Sequence, residues 1–257
     1  MGFGTYRLKG DDAYNATRHA LVNGYEWIDT APLYGNLDMI GRAITRSGIS
    51  RKSFKITTKI SRDVLKSLDY ELMVESFFDS LKNLNVDYVD ELILHEPIDP
   101  LRNWENLCRL YDCEARGLIG RIGVSNFDQE SLEQIIDLAT VPSVNQIEIN
   151  PFLTRDTLPD FCKSHGIEIV AHTPLAKGEK FMDPTLRIMA SKYSATCPQL
   201  MLRWGQQNGY RVIPRSKVAS HIEDNLMTRF NISDDDMKLI SGLNCGFATH
   251  PKFIKKI

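Results

Sequence analysis

Three observations predict an α/β chain folded as a (β/α)8 TIM barrel. There are eight short apolar runs that read as strands, each is followed by a helix-forming stretch, and the chain has 257 residues, the usual size of that barrel. An open doubly wound sheet gives the same alternation, and the count of eight decides for the barrel. No stretch rich in Gly, Ser or Pro interrupts the pattern as a linker would, so residues 1–257 are expected to form a single domain.

The first strand is predicted over Phe3 to Leu8, and the helix after it over Asp11 to Asn23, where Ala13, Ala16, Ala20 and Leu21 share one side. The second strand, Glu26 to Thr30, is bounded by Gly24 behind and by Ala31-Pro32 and Gly35-Asn36 ahead. A helix over Asp38 to Ser47 leads to the strand Phe54 to Lys59, with β-branched residues at its centre. A long amphipathic helix, Asp69 to Asn85, precedes the strand Glu91 to His95, which Glu96-Pro97 closes. The next helix, Trp104 to Arg116, stops at Gly117, a residue suited to a left-handed helix terminus. The strand Arg121 to Asn126, the helix Gln129 to Ala139, the strand Val144 to Ile149, the helix Asp156 to Ser164 and the strand Glu168 to Thr173 follow in turn. A helical region from Leu186 to Asn208, interrupted around Pro198, leads to the eighth strand, Arg211 to Pro214. Helices over His221 to Arg229 and Asp234 to Leu243 end the pattern.

The formal net charge of −2 argues against a nucleic-acid surface. No apolar run reaches the ~18 residues of a membrane span, and Met1 leads directly into Gly2-Phe3-Gly4-Thr5 rather than into a signal peptide. A cytoplasmic protein without a membrane partner is expected. The five cysteines are odd in number and contain no CxxC pair, so they read as reduced core thiols.

In a barrel, function belongs at the C-terminal strand ends. There the sequence places Asp29, Lys59 and His95 on three successive strands, with Tyr34 in the loop after Asp29. A carboxylate at the end of an apolar strand requires a partner, and Lys59 is placed to be it. An ammonium beside Tyr34 is expected to lower the phenol from its reference pKa of about 10. His95 could hydrogen-bond a bound carbonyl oxygen. The set is a proton donor plus an oxygen-polarising site, with no nucleophile and no metal ligands, which suits carbonyl reduction by a hydride supplied from elsewhere. Each residue alone is commonly structural, and Asp29 with Lys59 could be a plain ion pair. A Schiff base at Lys59 is the rival chemistry, and it needs a neutral lysine that Asp29 disfavours.

The stretches Gly2-Phe3-Gly4-Thr5, Ile28 to Asn36, Ile56-Thr57-Thr58-Lys59, Leu94-His95, Ile122 to Phe127, Asn145 to Pro151 and Ile213-Pro214-Arg215-Ser216 together resemble the aldo-keto reductase superfamily, in order and over essentially the whole chain. The resemblance implies a catalytic tetrad of Asp29, Tyr34, Lys59 and His95, with Tyr34 the general acid. It implies a nicotinamide cofactor held without a Rossmann fold, consistent with the absence of any GxGxxG. Gly4 and Thr5 fall in the cofactor-binding set it implies. Ser125, Asn126 and Gln146 match positions that hold the nicotinamide carboxamide, and His172 stands where an aromatic usually stacks on the ring. Thr173, Leu175 and Lys177 match the pyrophosphate loop. Arg215 and Ser216 match the residues that meet the adenosine 2′-phosphate, and Asp224 and Asn225 those that meet adenine. His221 replaces a usual arginine, so NADPH is expected with NADH possible. A capped helix start, with Ser220 as its cap, is the structural alternative for this segment.

The substrate pocket implied by the resemblance includes Leu33, Ser61 and Glu96. Ser61 and Glu96 replace tryptophans common in the family, so a more polar or open pocket for a small carbonyl substrate is expected. The tail after Leu243 is short, and a loop closing over the substrate is expected to be small or absent. The hairpin that usually closes the barrel bottom is not found before the first strand. A monomer is expected. The alternative function is a nicotinamide-binding regulatory or structural protein with little turnover.

Overall fold

The computed structural model describes residues 1–253. Eight parallel strands pair in sequence order: β1 (Gly2–Gly4), β2 (Trp27–Asp29), β3 (Lys55–Ile60), β4 (Val89–Leu94), β5 (Ile119–Ser125), β6 (Val144–Glu148), β7 (Glu168–His172) and β8 (Arg211–Val212). At the remaining seam Gly4 N donates to Pro214 O at 2.9 Å, so the sheet is a nearly closed barrel. Helices α1 (Gly10–Val22), α2 (Leu37–Arg46), α3 (Arg62–Ser67), α4 (Tyr70–Leu84), α5 (Pro100–Asp112), α6 (Gln129–Glu133), α7 (Leu158–Ser164), α8 (Pro184–Lys192), α9 (Cys197–Gln207), α10 (Ala219–Asp224) and α11 (Asp234–Ser241) connect the strands or follow the last.

Several boundaries differ from the sequence reading, each for a local reason. β1 ends at Gly4 rather than Leu8, because Leu8 N turns back to Thr5 O and Arg7 adopts a left-handed φ of 63°. α5 starts at Pro100, with Asp99 accepting from Arg102 N as its cap, and stops four residues before Arg116. α6 ends at Glu133 instead of Ala139. The break in the last long helical region falls between α8 and α9. Pro198 itself sits in the first turn of α9, where its missing N–H costs nothing, behind a capping box of Thr196 and Gln199. α3 has no counterpart in the sequence reading, and α10 begins at Ala219, so Ser220 lies inside the helix and does not cap it.

Two apolar clusters follow from strand alternation. The larger one fills the space between sheet and helices and includes Ile28, Ile56, Leu92, Leu94 and Trp104. The smaller one, Ile93, Val144, Val170 and Ile213, lies apart from it as a plug within the barrel. On the N-terminal side of that plug is a charged layer. Glu91, wholly buried, accepts from Thr57 Oγ1 at 2.8 Å, from Arg121 Nε at 2.9 Å and from Arg211 Nη2 at 2.8 Å. Arg211 also packs 3.7 Å from the Trp27 ring centre. Below it opens a cavity of about 660 Å³ lined by Met1, Trp27, Arg203 and Tyr210 among others, and no hairpin covers it among the described residues. The C-terminal strand ends meet on the opposite rim.

Candidate active site

Asp29 is the last residue of β2, and the chain then makes a tight 3-10 turn over Pro32–Tyr34 that Gly35 ends at φ 60°. Asn36 holds this loop by donating to Thr5 O and Leu8 O, both at 2.9 Å, and Lys9 Nζ holds Tyr34 O at 2.5 Å. Lys59, near the end of β3, donates to Asp29 Oδ1 at 2.7 Å and to Thr30 O at 3.1 Å. The other carboxylate oxygen of Asp29 accepts from Gln146 Nε2 at 2.6 Å. His95 follows β4, its ring edge-on to Tyr34 with centres 5.8 Å apart, and Lys59 Nζ is 5.3 Å from the Tyr34 ring centre. The four residues singled out on adjacent strand ends therefore come together.

One electrostatic expectation is overturned. Tyr34 is not lowered by Lys59. Burial, with Asp29 and Tyr6 adding to it, pushes the phenol well above its ordinary value. Lys59 Nζ donates to Asp29 and to Thr30, and lies over the phenol ring at 5.3 Å from its centre. Burial likewise pushes Lys59 below the ordinary lysine range, and Asp29 opposes that shift. His95 is held well below the usual histidine range by burial and by the surrounding cations, Lys59 first. It is neutral at neutral pH. Its Nδ1 is buried with no partner among the described residues. A proton there would bury an unpaired N–H, so we assign the proton to Nε2 from this network.

The residues expected to bind the cofactor sit at the ends of β5, β6 and β7 and beyond β8. Ser125 ends β5 and donates to Gln146 O at 2.9 Å; Asn126, at φ 62°, donates to His95 O and to Ser125 Oγ. His172 Nε2 meets Asn126 Oδ1 at 2.9 Å, and His172 Nδ1 meets Thr173 Oγ1 at 3.0 Å. The loop after β7 is strained, with left-handed φ values of 52° at Thr173, 46° at Ala176 and 54° at Lys177 beside half-buried Leu175. Thr5 is fully buried and its hydroxyl donates to Asp29 O at 2.9 Å, so it braces β2. Arg215, His221 and Asp224 are exposed beyond β8, and Ser216 Oγ accepts from Val218 N at 3.0 Å. Asn225 is buried beside the Tyr25 hydroxyl. Leu33 is exposed and Ser61 half-buried at the rim.

These residues fit a nicotinamide. Gln146 is fixed through its Nε2, and its Oε1 has no hydrogen-bond partner among the described residues, so it can accept from a carboxamide. At Gly4 a Cβ would come within 3.1 Å of Ile213 O, so glycine keeps the seam between β1 and β8 clear.

The segment after α11 closes on the rim. Buried Glu148 accepts from Thr249 N at 2.8 Å, Thr249 Oγ1 at 2.6 Å and His250 N at 2.9 Å. His250 packs edge-on to His172 at 5.8 Å, and Lys177 Nζ donates to Thr249 O at 3.1 Å. Glu96 accepts from Arg62 Nε at 2.9 Å and from Lys252 Nζ at 3.1 Å. No role is predicted from the sequence for Glu148, Arg62 or Lys252, nor for Tyr6, whose ring packs 5.0 Å from that of Tyr34. Tyr6 could have been found as the aromatic next to Thr5, whereas the tail contacts join residues 72 to 156 apart with no local signal.

The sequence model of the Aldo/keto reductase family matches residues 1–244. The chain belongs to this family. Among similar proteins, the methylglyoxal reductase DkgB of Escherichia coli O157:H7 is 35% identical over 250 residues, covering 95% of this chain and 92% of its own. The glyoxal reductase of Bacillus subtilis strain 168 is 36% identical over 249 residues, covering 95% and 88%. The crystal structure of MGS-M4, an aldo-keto reductase from a Medee basin deep-sea metagenome library, superposes with a TM-score of 0.89 at 36% identity, covering all of this chain and 92% of that one. This aldo-keto reductase is an NAD(P)H-dependent oxidoreductase acting on carbonyl groups.

Proposed function

We propose that this aldo-keto reductase reduces an aldehyde or ketone to an alcohol with NADPH, and that Tyr34 donates the proton. The observation that carries the reading is the buried arrangement of Tyr34 between neutral His95 and the Lys59–Asp29 pair. Bound nicotinamide supplies the hydride. His95 polarises the carbonyl oxygen through Nε2–H, and Tyr34, which burial keeps protonated, donates to that oxygen as negative charge builds on it. Lys59 stabilises the phenolate left behind, and Asp29 holds Lys59 charged and in place. Ser125, Asn126 and Gln146 orient the carboxamide, and His172 covers the ring.

The preference for NADPH rests on Arg215, a permanent cation on the exposed segment after β8, whereas on α10 His221 stands in place of a second arginine. The chain acts as a cytoplasmic, single-domain monomer, which light scattering of the purified protein tests. Because two relatives are named for methylglyoxal and glyoxal, methylglyoxal is the first substrate to try. Initial rates should be higher with NADPH than with NADH. Arg215→Ala should raise the KM for NADPH about tenfold, as loss of a charge-assisted contact to phosphate does, and leave the KM for NADH in place. Equal rates with both cofactors and no effect of Arg215→Ala would remove NADPH from the proposal.

A further inference from the structure

At the mouth of the site, one buried carboxylate is shared by two cations that arrive from opposite directions. Glu96 follows His95 directly, and its side chain is almost fully buried. Arg62 reaches it from the first residue of α3, with Nε and Nη2 both on Oε2. Lys252 reaches Oε1 from the tail. Two cations thus meet one carboxylate. Both cations remain accessible, the Arg62 side chain at 37% and the Lys252 side chain at 53%.

An ion pair that served only to fasten the tail would need one cation. One cation already balances the charge of the buried carboxylate, so the second, half-solvated one is not required to neutralise it. Their electrostatic reach extends to the reaction centre, since Lys252 and Arg62 are both among the cations that depress the His95 imidazole. Arg62 has a further guanidinium nitrogen and Lys252 further ammonium protons beyond their bonds to Glu96, and these donors can serve an incoming anion. Glu96 then works as a template that holds the two cations side by side. The clasp of Thr249 and His250 on Glu148 fixes the tail that delivers Lys252.

We propose that Arg62 and Lys252, aligned by Glu96, select carbonyl substrates that carry a carboxylate. The inference rests on the carbonyl-reductase reading and narrows its substrate class. Neither cation takes part in the chemical step. They set which substrate is held with its carbonyl at Tyr34 and His95.

The test uses a matched pair of aromatic aldehydes, benzaldehyde and 4-formylbenzoate, with NADPH. The readout is the ratio of their kcat/KM values, in which any general loss of competence cancels. The wild type should favour the carboxylate by about tenfold or more, mostly through KM, as expected for a charge-assisted contact. Lys252→Ala and Arg62→Ala should each bring the ratio down toward one, Lys252→Glu should invert it, and Lys252→Arg should keep it. Raising the salt concentration should lower the wild-type ratio. A wild-type ratio near one, or variants that change both substrates equally, would overturn the selection and leave the cluster as a latch. If neither aldehyde is reduced while NADPH binds, it is the reductase reading itself that fails.

Discussion

Asp29 is satisfied by two different donors, Lys59 on one oxygen and Gln146 on the other, so a single carboxylate links the proton-donor side of the site to the carboxamide side. Such a group tolerates burial only while its partners remain. The histidines are buried differently, as neutral rings. Burial pushes His172 down to about 3, and His95 also lies well below its ordinary value. The unfolded chain takes up these protons near pH 6.5, while the folded protein holds off until about pH 3 at His172, so the unfolded state binds more protons in between. Stability is therefore predicted to fall as pH drops through 6.5, by about 1.4 kcal/mol per pH unit for each fully excluded proton. Glu148, held at about 2 by its tail donors despite burial, contributes stability above about 4.5 that is lost between 4.5 and 2. Urea titrations from pH 8 to pH 2 check both windows. His172→Phe should flatten the upper part of the profile, and a stability that is constant from pH 7 to pH 5 would contradict the buried neutral imidazoles.

α2 and α4 show how close an approach the barrel wall demands. A Cβ at Gly41 would lie 2.6 Å from Leu84 O and 2.7 Å from Asn83 O, which are backbone atoms that cannot swing away. Gly41→Ala is predicted to destabilise the protein by about 1–3 kcal/mol through overpacking, despite alanine's better helix propensity. Chemical denaturation measures it, and an unchanged midpoint would show that the helices can part. The elements were legible where apolar periodicity ended on a clear stop, as at Leu94-His95 before Pro97 or at Ile28-Asp29 before Pro32. They were not legible where tertiary contacts set the boundary. Leu8 looks like the end of a strand and instead enters the core after a turn, and the loop holding Tyr6 is shaped by Asn36 from the next unit. The raised value of Tyr34 was also beyond the sequence, because charge proximity can be guessed from strand order but depth of burial cannot. Arg62 and Lys252 meet only because the tail returns across the rim.

Across the whole molecule the barrel separates two polar layers with a thin apolar plug of Ile93, Val144, Val170 and Ile213. The lower layer binds its charges to one another around Glu91, and it is structural. In the upper layer Tyr34 and His95 are uncharged, Gln146 Oε1 lacks a partner among the described residues, and Arg62 and Lys252 are partly solvated, so this rim can accept a ligand. Tyr34 is the proposed proton donor in carbonyl reduction. The direct test compares methylglyoxal-dependent NADPH oxidation by the wild type and Tyr34→Phe, with NADPH affinity followed by quenching of tryptophan fluorescence. Loss of a general acid predicts a fall in kcat/KM of about 10²–10⁴-fold with NADPH affinity retained. A Tyr34→Phe protein that turns over at the wild-type rate would contradict the account.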